Sequence, residues 1–144
     1  MSLRSTTLAV MVAGAAILFV PEIASRAETA ADGRQVDLVR QDQSDCTNTT
    51  VPVNPPVISG TVSLNRDSDG NTTVKVAMTV SPDTTYHFFL KCVRQLGDIT
   101  TGDEGTGFGN FTFQTNEVGA TYGFDMYPEG APAGNKFQSV TVKF

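Results

Sequence analysis

Over residues 57–144 the apolar side chains recur with a period of two, and no part of this stretch carries a helical period. Ile58, Gly60, Val62 and Leu64 alternate with Ser59, Thr61 and Ser63. After a turn, Val74, Val76, Met78 and Val80 alternate with Thr73, Lys75, Ala77 and Thr79. Successive side chains of a strand point to opposite faces, so each run offers one face to a core. The intervening Asn-Arg-Asp-Ser-Asp-Gly-Asn at 65–71 holds the residue types that tolerate the positive φ of a strand reversal, which predicts a hairpin. Further along, Tyr86, Phe88, Leu90 and Cys92 share the parity expected to face inward, against His87, Phe89, Lys91 and Val93. A short strand at 98–101, a loop at 102–107 and a strand at 108–115 with Phe111 and Phe113 on one face follow. Then come Tyr122, Phe124 and Met126, a Pro/Gly loop at 128–135, and a closing strand through Val140, Val142 and Phe144. Seven short strands in about 90 residues predict an all-β chain, a single antiparallel β-sandwich of about seven strands, with an up-and-down barrel as the structural alternative.

The first 27 residues read as a secretory signal peptide. Arg4 supplies a positive start, residues 8–20 are an unbroken apolar run, and Ser25 and Ala27 fit the small-x-small cleavage pattern, which places the cut after Ala27. Thirteen apolar residues fall short of the ~20 that a spanning helix needs, so no transmembrane span is expected after cleavage. Residues 28–56 read as a polar flexible segment with a Pro-rich lead-in (Val51-Pro-Val-Asn-Pro-Pro56), holding at most one short strand at Val36, Leu38 and Val39. The sandwich domain is then expected over 57–144. Removing the leader leaves 8 of the 10 basic and 14 of the 15 acidic side chains, a net charge of −6, which repels the phosphate backbone of a nucleic acid, so no nucleic-acid partner is expected.

The stretch 97–113, Gly-Asp-Ile-Thr-Thr-Gly-Asp-Glu-Gly-Thr-Gly-Phe-Gly-Asn-Phe-Thr-Phe, resembles the Thr-Thr-Asp-x-x-Gly-x-Phe-x-Phe phrase of bacterial extracellular immunoglobulin-like domains, as does the closing Gln-Ser-Val-Thr-Val at 138–142. The resemblance implies an immunoglobulin-like sandwich and a secreted or cell-surface setting, and it implies no reaction. The chain departs from that family in its long polar N-terminal segment and its cysteine pair.

Few residues are equipped for chemistry. Cys46 and Cys92 are the only cysteines, and an even count in an exported chain reads as one disulfide, closing a loop of about 47 residues. A redox or metal thiol pair would need closer spacing or histidine neighbours. His87, the lone histidine, reads as an outward strand residue, and no catalytic triad is assembled around it. Asn65, Asp67 and Asp69, followed by Gly70, have the oxygen spacing that opens a calcium loop. Val76 stands where a bidentate Glu belongs, however, and the same residues suit any hairpin turn. Asn48, Asn71 and Asn110 begin N-glycosylation triplets, which a bacterial host would leave empty. Phe89, Tyr127 and Phe108 fall on outward parity or in loops, where aromatic rings could stack on sugars. Asp98, Asp103 and Glu104 read as a solvated acidic loop.

No cofactor, catalytic residue or metal site is expected. The leading expectation is a secreted, non-enzymatic interaction module whose loops or sheet face contact an extracellular protein or polysaccharide. A small-ligand or carbohydrate-binding protein using the outward aromatics is the alternative.

Overall fold

A computed structural model describes residues 32–50 and 56–144; the expected leader with its cleavage site, and Val51 to Pro55 of the Pro-rich lead-in, lie outside these residues. Ten strands make up almost all of the regular structure: β1 Asp32–Arg40, β2 Ile58–Arg66, β3 Asn71–Thr79, β4 Thr85–Leu90, β5 Arg94–Thr100, β6 Thr106–Gln114, β7 Thr121–Tyr122, β8 Phe124–Pro128, β9 Phe137–Ser139 and β10 Val142–Lys143. One 3₁₀ turn, Thr115–Glu117, is the only helical element among the described residues. The fold is all-β and antiparallel throughout, with eight strands in one sheet of order β5-β4-β8-β9-β1-β2-β3-β6 and a ribbon of β7 and β10.

The sheet curls on itself, so that its halves β1-β2-β3-β6 and β5-β4-β8-β9 face one another like the layers of a sandwich. Val62, Leu64, Val74, Val76, Met78 and Phe113 from the first half meet Tyr86, Phe88, Leu90, Ile99, Phe124 and Met126 from the second. Aromatic rings carry much of this contact. Phe88 stacks on Phe111 at 5.3 Å and on Phe124 at 5.3 Å, while Phe113 meets Tyr122 and Phe124 edge-on. The two ends of the sheet, β5 and β6, pack together at a seam where Gly97 and Gly109 stand against the Phe111 ring. A Cβ at either position would collide with it, so this closure demands glycine. The strand order differs from that of an immunoglobulin constant domain, whose second strand lies between the first and the fifth; here β2 lies between β1 and β3.

Four expectations are corrected. Within the polar N-terminal segment, residues 32–40 are not a flexible tail: β1 pairs with β2 over 32–39 and with β9 over 38–40, which makes it an internal strand, and the folded unit begins before Val57. Its apolar signal is short because only Val36, Leu38 and Val39 bury apolar side chains, and the backbone ladders on both sides supply the rest. The strand count is ten rather than about seven, because β1 is added and the sixth and seventh expected strands each divide in two, at Gly123 and at Val140–Thr141. Cys92 does not continue the inward row, since β4 ends at Leu90 and Cys92 sits exposed in the following turn at φ 62°. Ile58 is also turned out, 57% exposed, because the β1–β2 register skips Ser59 and the bulge reverses parity.

Candidate functional site

The outer face of β5, β4 and β8 gathers the polar and aromatic side chains that the core excludes. Register sets His87 on β4 between Asp98 on β5 and Tyr127 on β8, and sets Phe89 opposite Asp125. Phe89 and Tyr127, diagonal neighbours on this face, stack with centroids 4.9 Å apart at 20°. A bulge in the β4–β5 register brings Gln95 opposite Phe89, and its Nε2 donates to Asp98 Oδ1 at 2.6 Å. Asp98 therefore belongs to this face rather than to the loop holding Asp103 and Glu104, which corrects the grouping expected of the three.

His87 lies with Nδ1 2.7 Å from Asp98 Oδ1 and Nε2 3.3 Å from Glu129 Oε2. Hydrogen bonds donated to Asp98 first and Glu129 second favour the imidazolium and hold its pKa above the usual histidine value. No serine, threonine or cysteine hydrogen-bonds the ring among the described residues.

A strap over residues 41–50 is fastened beside this face. Cys46 and Cys92 form the disulfide, with Cα atoms 5.5 Å apart. Asn48 is fully buried where the β8–β9 ladder stops. Its Nδ2 donates to Phe124 O at 3.0 Å and Ser139 O at 3.1 Å, bridging two strands whose backbone ladder has ended and which otherwise meet here through Phe124 N donating to Ser139 Oγ. Gly123 is required here, since a Cβ would strike the Asn48 amide. The Lys91 ammonium, itself buried, donates to Asn48 Oδ1 and Gln43 O, and desolvation lowers its pKa. Glycan attachment at the first triplet is thereby excluded in the folded state, because the Asn48 amide is enclosed and bonded.

Between strap and face lies a cavity of about 230 Å³, lined by Asp42, Asp125, Tyr127, Ala131, Lys136 and Gln138 among others. Gln138 spends its amide on the Gln43 backbone, and Lys136 Nζ lies 2.7 Å from Asp42 Oδ2. The Asp125 carboxylate and the Tyr127 hydroxyl have no side-chain hydrogen-bond partner among the described residues. Burial pushes the Asp125 carboxyl up to about 6, against the opposing pull of the Lys91 charge. The loop above the cavity is pinned to the core, because Tyr86 Oη donates to Asn135 Oδ1 at 2.6 Å.

The remaining sequence candidates stand apart from this site. In the 65–71 hairpin Asp67 Oδ1 accepts the N–H groups of Asp69 and Asn71, which lowers its pKa and commits the carboxylate to the turn. Asn65 lies in β2, and no group of three His, Cys, Asp or Glu side chains suited to a metal occurs among the described residues. Phe108 is 74% exposed on the far face, across from Ala77. Sequence reasoning found the outward aromatics and His87. It missed Glu129, Gln95 and the Asn48–Lys91 contact, whose only signals were single polar residues far apart in the chain. No protein-family model matches the chain, and no curated protein matches it.

Proposed function

We infer that this chain is a secreted, non-enzymatic binding module of bacterial origin, and that it engages an extracellular protein or polysaccharide through the outer face of β5, β4 and β8. The observation that carries the reading is the half-buried Phe89–Tyr127 stack, framed by His87, Asp98 and Gln95. Partly exposed rings surrounded by polar groups are the composition of a recognition centre with its rim. The disulfide and the pinned loop keep this face rigid, which limits the entropy lost on binding. An extracellular setting is compatible with the disulfide, and no helix among the described residues is long and apolar enough to cross a membrane. The likeness to bacterial extracellular immunoglobulin-like domains supports the same setting at the level of layered antiparallel architecture.

The test is retention of the disulfide-intact protein on cell-envelope material of its own host, assayed separately on protein-stripped polysaccharide and on extracted protein. Phe89→Ser is expected to abolish retention on one of the two, while Phe108→Ser on the opposite face leaves it intact. Equal retention of both variants, or none by the unaltered protein, would overturn the reading. The alternative of a carbohydrate-binding protein is favoured by one specific feature, the polar cavity beside Tyr127.

A further inference from the structure

Resting on the binding-module reading, we propose that the cavity walled by Tyr127 and Lys136 is a subsite for one uncharged pyranose ring of an extracellular polysaccharide. Size sets the first limit. At about 230 Å³ the cavity is smaller than the roughly 300–1,000 Å³ of sites for drug-sized molecules, so it admits one ring rather than an extended ligand.

Hydrogen-bonding capacity sets the second. Asp125 and the Tyr127 hydroxyl line the cavity without side-chain hydrogen-bond partners among the described residues, and the Lys136 ammonium, bonded to Asp42, keeps donors to spare. Acceptors and donors thus line one small cavity, which suits vicinal hydroxyls that each give and take a hydrogen bond. A half-buried carboxylate that no side chain hydrogen-bonds among the described residues keeps acceptor capacity that a hydroxylated ligand can use.

Charge sets the third. Lys136 offsets Asp42 across a 2.7 Å pair, and the Lys91 ammonium acts on Asp125 from beneath the strap. With each carboxylate already facing a cation, an additional charge on the ligand gains little attraction and loses its hydration. An uncharged polyol suffers no such loss.

Tyr127 supplies the apolar wall. Phe89 holds one face of its ring at 4.9 Å, which fixes the ring's orientation at the cavity and lets it meet the C–H side of a sugar. Asp42 is largely exposed at the rim, so the occupant opens to solvent and can belong to a chain.

The experiment is an amide chemical-shift titration of the disulfide-intact protein with methyl α-D-glucopyranoside, methyl α-D-mannopyranoside and methyl β-D-galactopyranoside. Sodium glucuronate and glucosamine serve as charged comparators. At least one neutral pyranoside is expected to give saturable shifts at Asp125, Tyr127, Ala131 and Lys136, with a Kd of about 1 mM. Asp125→Ala should weaken it about tenfold or more; Lys136→Ala, a surface change that leaves the strands intact, should act in the same direction and serves if the first variant does not fold. The proposal falls if no neutral pyranoside shifts these four residues, if either charged sugar binds as tightly, or if both variants bind unchanged. Loss of envelope retention by Phe89→Ser alongside silence in this titration would overturn the sugar subsite and leave the binding-face reading standing. Saturable shifts without envelope retention would do the reverse.

Discussion

Replacing Asn48 by Ala tests whether one buried amide replaces a missing stretch of backbone ladder. The change orphans two enclosed carbonyls, Phe124 O and Ser139 O, at roughly 1–3 kcal/mol each, and removes one acceptor from the Lys91 ammonium. Allowing for a water entering the vacated space, the net loss is about 3–5 kcal/mol. For a domain of this size that is a large part of a total of about 5–15 kcal/mol, and it lowers Tm by about 12–20 °C. Gly123→Ala should cost about 1–3 kcal/mol by itself, because its Cβ is driven into the Asn48 amide. In the double variant the new methyl group occupies the space that Asn48 left, so the combined loss should not exceed that of Asn48→Ala alone. Urea unfolding of all four proteins closes the cycle, with an expected coupling of about 2 kcal/mol. Losses that add to within about 0.5 kcal/mol, or a loss below about 1 kcal/mol for Asn48→Ala, would refute the wedge.

Asp125→Asn should flatten the pH dependence of stability between pH 4 and 6. The folded carboxyl is raised from 3.8 to about 6, so its contribution is fully present below pH 3.8 and is lost as pH rises through about 6. The shift corresponds to at most about 3 kcal/mol, which the cavity's opening to solvent reduces to about 1–2, measured by chemical denaturation across that range. His87 acts in the same direction at higher pH: its contribution is present below 6.5 and fades as pH rises above its raised value, so His87→Asn should change the slope only in that upper window. Phe124→Ala, which empties a fully buried site touching Phe88, Phe113 and Tyr122, should cost about 3–5 kcal/mol by urea unfolding. Deleting residues 32–45 removes an internal strand and should leave no cooperative unfolding transition in calorimetry; a variant that keeps its Tm would show β1 to be dispensable. Reducing the Cys46–Cys92 bond, which spans 46 positions, should lower stability by up to about 4 kcal/mol, and thiol labelling without denaturant should find neither cysteine free beforehand.

The sequence by itself determined the strands that are long enough to alternate. In β2, β3, β4 and β6 every second side chain is apolar or glycine over several residues, and the buried sets Val62 and Leu64, Val74 to Met78, and Phe88 and Leu90 follow that parity. The Asp67 turn and the outward aromatics were legible for the same local reason. Only the tertiary structure decided the rest. β1 buries just Val36, Leu38 and Val39, because most of its stabilisation comes from ladders to β2 and β9, partners about 28 and 100 positions away. The bulges at Ser59 and Leu96 reverse parity through pairing geometry that single residues do not announce. The candidate site follows the same rule. Asp98, Phe89, Tyr127 and Glu129 meet because β4 pairs with both β5 and β8, and Asn48 reaches Lys91 because the strap crosses their ends. Side-chain alternation is a property of a few consecutive residues, whereas contact between strands depends on loop closure and register over the whole chain, and that is why the core and the outward aromatics were readable and the meeting of the site's residues was not.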